Sequence, residues 1–256
     1  MRSALCLVIA LLILQAPIAS VGAPAAVPHW VEHLGFHVAS EPMSNLALRQ
    51  AIASAIDRQA ILEAARGRLP RGSTLLGVAG SWFVPGLPQH RPDVRIHPYD
   101  TSRAKVLLAE AGFPEGRGLP EIEVLVRTDL PHRQSATETL KTQLAAVGIR
   151  LKVTGLPTYA AFFARVNPGP GRAKQYQMAI FAWGLPEPTS DFLRRQFLQG
   201  GPENTYDYRN PEVTLLIADI LRETDPVKRV QMLQEAEKLI LTDAPVVPLF
   251  YYATPP

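Results

Sequence analysis

The chain has 256 residues, 47% of them hydrophobic and 19% charged, enough for one large or two small globular domains. Twenty-four prolines favour long structured loops and argue against an all-helical bundle. The net charge is only +3, with no basic stripe or Lys/Arg run, so nucleic acid is excluded as a partner.

Residues 1–25 read as a signal peptide. Arg2 supplies the positive start, Ala4 to Leu14 the apolar core, and small residues follow from Ala19 to Ala25. Cleavage is expected before Ala26, after Ala23-Pro24-Ala25, with Ser20-Val21-Gly22 as a second option. The core is shorter than the roughly 20 apolar residues of a comfortable membrane span, so an uncleaved anchor is the lesser reading. The single cysteine, Cys6, lies inside this leader. An exported chain without thiols suits a bacterial periplasm better than a disulfide-stapled secreted domain.

Trp30 to Val38 reads as an extended segment with Val31, His33 and Gly35 on one face. His29, His33 and His37 recur every four residues, which raises the question of a metal. On a strand, positions four apart are about 13 Å from each other, too far for one ion, so they are taken as surface or edge histidines. Pro42 to Arg66 predicts a helix capped by Ser44 or Asn45, with Leu48, Ala51, Ile52, Ala55 and Ile56 buried, then a second helix capped by Asp57. Arg49 and Arg58 are expected to be solvated or paired with local carboxylates. Gly67 to Pro98 shows no period and is read as a long loop, with Trp82 and Phe83 tucked under it.

A helix follows from Asp100 or Thr101 to Gly112. Glu121 to Arg127 alternates as a strand, His132 to Val147 is an amphipathic helix, and Ile149 to Val153 is the next strand. Strand, helix and strand make a right-handed crossover with parallel strands. Thr158 to Arg165 is a short aromatic helix. Met178 to Trp183 is a core strand, stopped by Gly184, Pro186 and Pro188, before a helix capped by Thr189, Ser190 or Asp191. Trp183 thus reaches the carboxyl end of a strand, where ligands gather in open sheets; a core tryptophan beside a plain turn is the other reading. Asn210-Pro211 and Asp225-Pro226 open two further helices, and Pro245 to Tyr252 is a last strand. No GxSxG, HExxH or exported cysteine argues for a hydrolase, and Asp129, His132 and Ser135 read as a cluster at a helix start.

Six stretches in order carry a resemblance: LGF at 34–36, LRQAIASAIDRQAI at 48–61, YDTSRAKVLLAEAGF at 99–113, WG at 183–184, YRNPEV at 208–213 and DAPVVPLFYY at 243–252. Together they resemble the family 5 extracellular solute-binding proteins of ABC transporters, the oligopeptide- and dipeptide-binding type. The resemblance implies an α/β fold, a mixed sheet flanked by helices, forming the second lobe of a type II periplasmic-binding-protein-like structure. It implies a periplasmic receptor, not an enzyme, that binds a peptide or other small solute without a cofactor and hands it to ABC permease subunits. Dipeptides, longer peptides, nickel chelates, haem and sugars all stay open as solutes. Members of that family are much longer, so residues 26–256 are expected to be a single lobe, with a separate partner lobe as an option. A partner-binding module or a non-functional fragment of the same fold is the alternative. The resemblance implies Trp183, Gly184 and Glu187 as ligand-facing residues, with Tyr206 and Tyr208 as weaker candidates. Peptide-binding members carry an Asp shortly after the Trp-Gly pair, where it anchors the peptide amine. Here Glu187, in Leu185-Pro186-Glu187-Pro188, is the nearest carboxylate.

Overall fold

Strand β1 (His29–Phe36) is the middle of the structure, because two later strands return to flank it. The computed structural model describes residues 29–94, 96–169, 171–185 and 190–255, so the leader and Glu187 fall outside it. In chain order β1 is followed by α1 (Leu46–Ser54), α2 (Arg58–Ala65), β2 (Thr74–Val78), α3 (Thr101–Glu110), β3 (Ile122–Arg127), α4 (Pro131–Ala145) and β4 (Leu151–Leu156). Then come α5 (Tyr159–Val166), β5 (Met178–Leu185), α6 (Ser190–Phe197), α7 (Pro211–Arg222), α8 (Pro226–Asp243) and β6 (Val246–Ala253).

The strands form one mixed sheet in the order β2-β6-β1-β5-β3-β4. Strand β1 runs antiparallel to both β5 and β6, placing Val31 opposite Trp183 on one side and Tyr251 on the other. Strand β3 is parallel to both β4 and β5, as the β3–α4–β4 crossover requires.

The helix boundaries follow local chemistry. Asn45 accepts the Leu48 N–H, Asp57 those of Gln59 and Ala60, and Asp100 that of Arg103. Asn210 and Asp225 cap α7 and α8 in the same way, each with proline at the first helical position. Helices α1 to α4 bury aliphatic stripes on one face of the sheet, among them Leu48, Ile52, Ile61, Leu108, Leu140 and Leu144. Alternation along the strands sends Leu34, Val124, Met178 and Ile180 to the same side. The other face carries Val31, Trp82, Trp183, Phe197, Tyr206 and Tyr251, covered by α6 to α8 and the 79–94 segment. A small adjoining cluster of Leu125, Phe162, Val166, Tyr176 and Ala179 lies under α5.

Several expectations are corrected here. His33 is fully buried because β1 is central and not an edge, and His37, just past the end of β1, is buried against Tyr176 and Asp207. Periodicity within a strand cannot tell the two positions apart; only the return of β6 does. Among the described residues no group of His, Cys, Asp and Glu is arranged to hold a metal ion. Arg49 is neither solvated nor paired with a carboxylate. Its guanidinium donates to the carbonyls of Met43, Ser44, Asp243 and Ala244, covering the end of α8, and burial lowers its pKa to about 10. Arg58 likewise donates to the carbonyls of Pro248 and His97. The stretch from Gly67 to Pro98, read as loop, contains β2, which pairs antiparallel with β6 and has Gly77 at a positive φ of 135° beside the register shift. Trp82 and Phe83 are buried under that stretch.

Candidate functional site

A cavity of about 810 Å³ lies at the carboxyl ends of β3 and β5, beside the start of β1. Its walls come from distant parts of the chain. Strand β5 gives Phe181, Ala182, Trp183 and Gly184; β1 gives Trp30; and β3 ends in Arg127. Helix α5 contributes Tyr159, Phe162 and Phe163, and α6 contributes Asp191, Phe192, Arg195 and Gln196. Arg133, Glu203 and Thr205 complete it.

Trp183 is 6% exposed and forms the floor. The His33 imidazole is stacked on it, with ring centroids 3.8 Å apart, and Phe192 meets it edge-on at 5.0 Å. Trp82, Phe197 and Tyr206 also meet it edge-on. A ring gripped on so many sides has little freedom to turn. Its indole N–H is buried without a hydrogen-bond partner. Gly184 is exposed at the rim, and a Cβ there would stand 3.0 Å from the Trp30 ring. The Trp30 ring is in turn fixed by stacking on Tyr252 and by its N–H bond to Thr254 Oγ1 at 3.1 Å.

His33 beneath the floor is neutral, since burial lowers its pKa from 6.5 to about 3. The Val31 carbonyl 3.2 Å from Nδ1 can only accept, so Nδ1 carries the proton. Nε2 then accepts from the Tyr206 hydroxyl at 3.0 Å. Tyr206 is fully buried, stacked between Phe181 and Phe197, and burial raises its pKa well above the usual range. Tyr208 is also buried, its hydroxyl donating to Asp243 Oδ2 at 2.5 Å. Neither tyrosine lines the cavity: Tyr206 packs against Trp183, and Tyr208 lies a layer further away, against Phe197.

Charge enters from the side. Arg133 donates from Nε to Glu32 Oε1 at 2.6 Å and from Nη2 to Oε2 at 3.3 Å. Burial pushes the Glu32 carboxyl up, and Arg133 together with His132 more than offsets it, leaving the pKa lowered. A carboxylate buried to this degree persists only when paired, so the pair holds Arg133 at the cavity wall. Arg127 pairs with Asp129 and lies 5.5 Å from the Tyr159 ring centroid. Opposite, Glu203 binds Arg195 and accepts from Gln196 at 2.7 Å.

Of the residues expected from sequence, Trp183 and Gly184 line this cavity, Tyr206 packs behind Trp183, Tyr208 is buried further off against Phe197, and Glu187 lies outside the described residues. Asp129, His132 and Ser135 do not act together at the start of α4. Asp129 turns to Arg127, His132 is buried against Glu32, and the helix starts at Pro131 with no side-chain cap from Leu130 before it. Sequence reading did not single out Trp30, Arg127, Arg133 or Phe192. Arg127 closes a strand predicted parallel to its successor, but only the parallel pairing of β3 with β5 brings it to the sheet end where Trp183 emerges.

The family model for bacterial extracellular solute-binding proteins, family 5 (middle region), matches residues 13–205. The chain is 25% identical to heme-binding protein A of Haemophilus influenzae over 225 residues, which cover 86% of this chain and 39% of that protein. It is 26% identical to the glutathione-binding protein GsiB of Escherichia coli, covering 85% of this chain and 41% of that one. Among solved structures, HbpA2 of Haemophilus parasuis superposes with a TM-score of 0.73 at 24% identity, over 90% of this chain and 44% of the other. AppA of Bacillus subtilis, solved with a nonapeptide, gives 0.74 at 19% identity, over 90% of this chain and 47% of that one. The chain thus spans about two fifths of the length of the curated relatives it matches. With most of its length matched by the family model and the mixed α/β sheet shared with solved solute-binding proteins, the chain belongs to the family 5 bacterial extracellular solute-binding proteins.

Proposed function

We propose that this chain supplies a solute-binding lobe to an ABC transporter of the peptide type, acting in the periplasm and carrying out no chemistry on its ligand. The observation that supports it is the cavity at the ends of β3 and β5, floored by Trp183, in a member of this family. The aromatic walls suit apolar side chains, and Arg127 and Arg133 suit a carboxylate. Heme, glutathione and peptides, named for the relatives, all combine carboxylates with apolar or amide surface. Glu187, just beyond Leu185, is the carboxylate we assign to a solute ammonium group.

We take residues 26–256 as a single lobe, the leader ending at Ala25, and the opposing wall as the contribution of a second lobe absent from the described residues. Well-buried small ligands lose about 70–90% of their surface to the site, and one wall alone cannot reach that. Part of the favourable contact is lost while the cost of immobilising the solute stays. The chain by itself should therefore bind weakly.

The test is saturation-transfer NMR and calorimetry with Phe-Phe, glutathione and haemin. The expected result is transfer to at least one of them, lost in Trp183→Ala, with affinity weaker than micromolar. Absence of transfer from all three at millimolar concentration, or transfer unchanged by Trp183→Ala, would reject the assignment of this cavity.

A further inference from the structure

Glu237 of α8 is fully buried on the aromatic face, away from the cavity charges. Its Oε1 accepts from the Ser81 hydroxyl, which itself accepts the Phe83 N–H at 2.8 Å. The backbone amides of Trp82 and Phe83 lie beside the same carboxyl. Its Oε2 has no hydrogen-bond partner among the described residues, and Arg91 Nη2 stands 3.7 Å away, beyond good hydrogen-bond reach. The buried indole N–H of Trp82 is also unpartnered, so that ring is placed by packing and by its backbone. The ring packs against Trp183, Phe192 and Phe197.

We propose that Glu237 is a pH-responsive latch that fixes the 81–91 loop, and with it Trp82, against the tryptophan floor of the cavity. Protonated, the carboxyl is a neutral group tied to Ser81 in an apolar surround. Ionised, it leaves a buried charge on Oε2 for which Arg91 is the nearest cation, so the loop shifts to bring Arg91 in and Trp82 moves with it. Burial pushes this carboxyl up to about 7, which puts the change in a range an exported protein meets. The neighbouring groups are Arg91 and His90 from the loop, His90 being bonded to the Phe83 carbonyl, and Tyr251 from β6, which donates to the Ser81 carbonyl at 2.8 Å. On α8 itself is the Glu235–Lys238 pair, and His97, whose pKa burial lowers, reaches the Leu241 carbonyl near the end of that helix.

The latch needs no solute, so its failure is separate from failure of the binding assignment. Intrinsic fluorescence is followed from pH 5 to 9 in a Trp30→Phe background, leaving Trp82 and Trp183 as reporters. The expected result is a shift in emission maximum with a midpoint near 7, absent in Glu237→Gln and kept in His90→Gln. The melting temperature of the parent relative to Glu237→Gln should also be higher at pH 5 than at pH 8. A raised pKa makes the stabilising contribution largest at low pH and removes it as pH climbs through the folded value. If Glu237→Gln does not fold, Ser81→Ala takes its place; it removes a bond that favours the charged form and should move the midpoint upward. A profile unchanged in Glu237→Gln, one abolished in His90→Gln, or an unmoved midpoint in Ser81→Ala overturns the proposal.

Discussion

The two faces of the sheet are built from different material. Under α1 to α4 the core is largely aliphatic, with Phe36, Phe250 and Tyr252 the buried exceptions, and its contacts come from helices whose buried stripes recur at helical spacing. Under α6 to α8 it is aromatic, with Trp82, Trp183, Phe197, Tyr206 and Tyr208 meeting largely edge to face. Branched aliphatics fill space without directional demands. Rings with polar handles need partners and angles; His33 meets the Tyr206 hydroxyl and a loop carbonyl that of Tyr251, while the Trp82 and Trp183 N–H groups find none among the described residues. The difference teaches where function can sit: the aliphatic side holds the sheet together, and the aromatic side shapes a cavity at its edge.

The comparison breaks first at the largest side chains. Trp82→Ala should cost about 3–5 kcal/mol in urea unfolding, and Leu140→Ala about 2–5 kcal/mol. Only the first should also alter solute-transfer signals, since Trp82 backs Trp183 and Leu140 faces the other way. Equal effects of both on binding would mean that the faces are not separable.

Acid should act on the aromatic side. His33 takes no proton in the folded state until about pH 3, whereas the unfolded imidazole charges near 6.5. The unfolded chain then binds more protons, so stability is complete above 6.5 and falls toward 3. Thermal melts of His33→Asn should show a flatter acid limb than the parent, and an identical limb would show that the ring does not control it.

A smaller effect is expected where β1 comes closest to those rings. A Cβ on Gly35 would meet Tyr206 Cε1 at 2.6 Å and Phe181 Cε1 at 2.9 Å. Gly35→Ala should therefore destabilise by about 1–3 kcal/mol, with the near-ultraviolet circular dichroism of the aromatic cluster changed. Least of all, Asp225→Ala removes the α8 cap and should cost about 1 kcal/mol with that spectrum unchanged.

Local chemistry was readable at most helix starts, though not in β2. Asn45, Asp57, Asp100, Asn210 and Asp225 were visible as caps because a cap is decided within a few residues. The parallel crossover through α4 followed from the length of its helix. What required the folded chain was position within the sheet. His33 reads the same in an edge strand as in a central one, and Arg49 shows no sign that it will cover the end of a helix far along the chain. The cavity was half legible. Trp183 stood out as a strand end before a Gly/Pro stop, but Arg133, Tyr159 and Phe192 join it only because α4, α5 and α6 reach the same corner. Nothing beside Glu32 in the sequence marks it as buried, because the charge that pairs with it lies on α4.

The position of β1 also bears on how the molecule is made. A ribosome releases β1 before every other strand of this sheet, yet one of its two hydrogen-bonded neighbours is β6, the last of the six to be synthesised. Until Val246–Ala253 emerges, one edge of β1 remains an open ladder beside the aromatic rings of β5, the kind of surface on which nascent chains stick to each other. Closure of the sheet is therefore expected to be a late, long-range event, and slow translation would lengthen the interval in which a chaperone has to shield that edge.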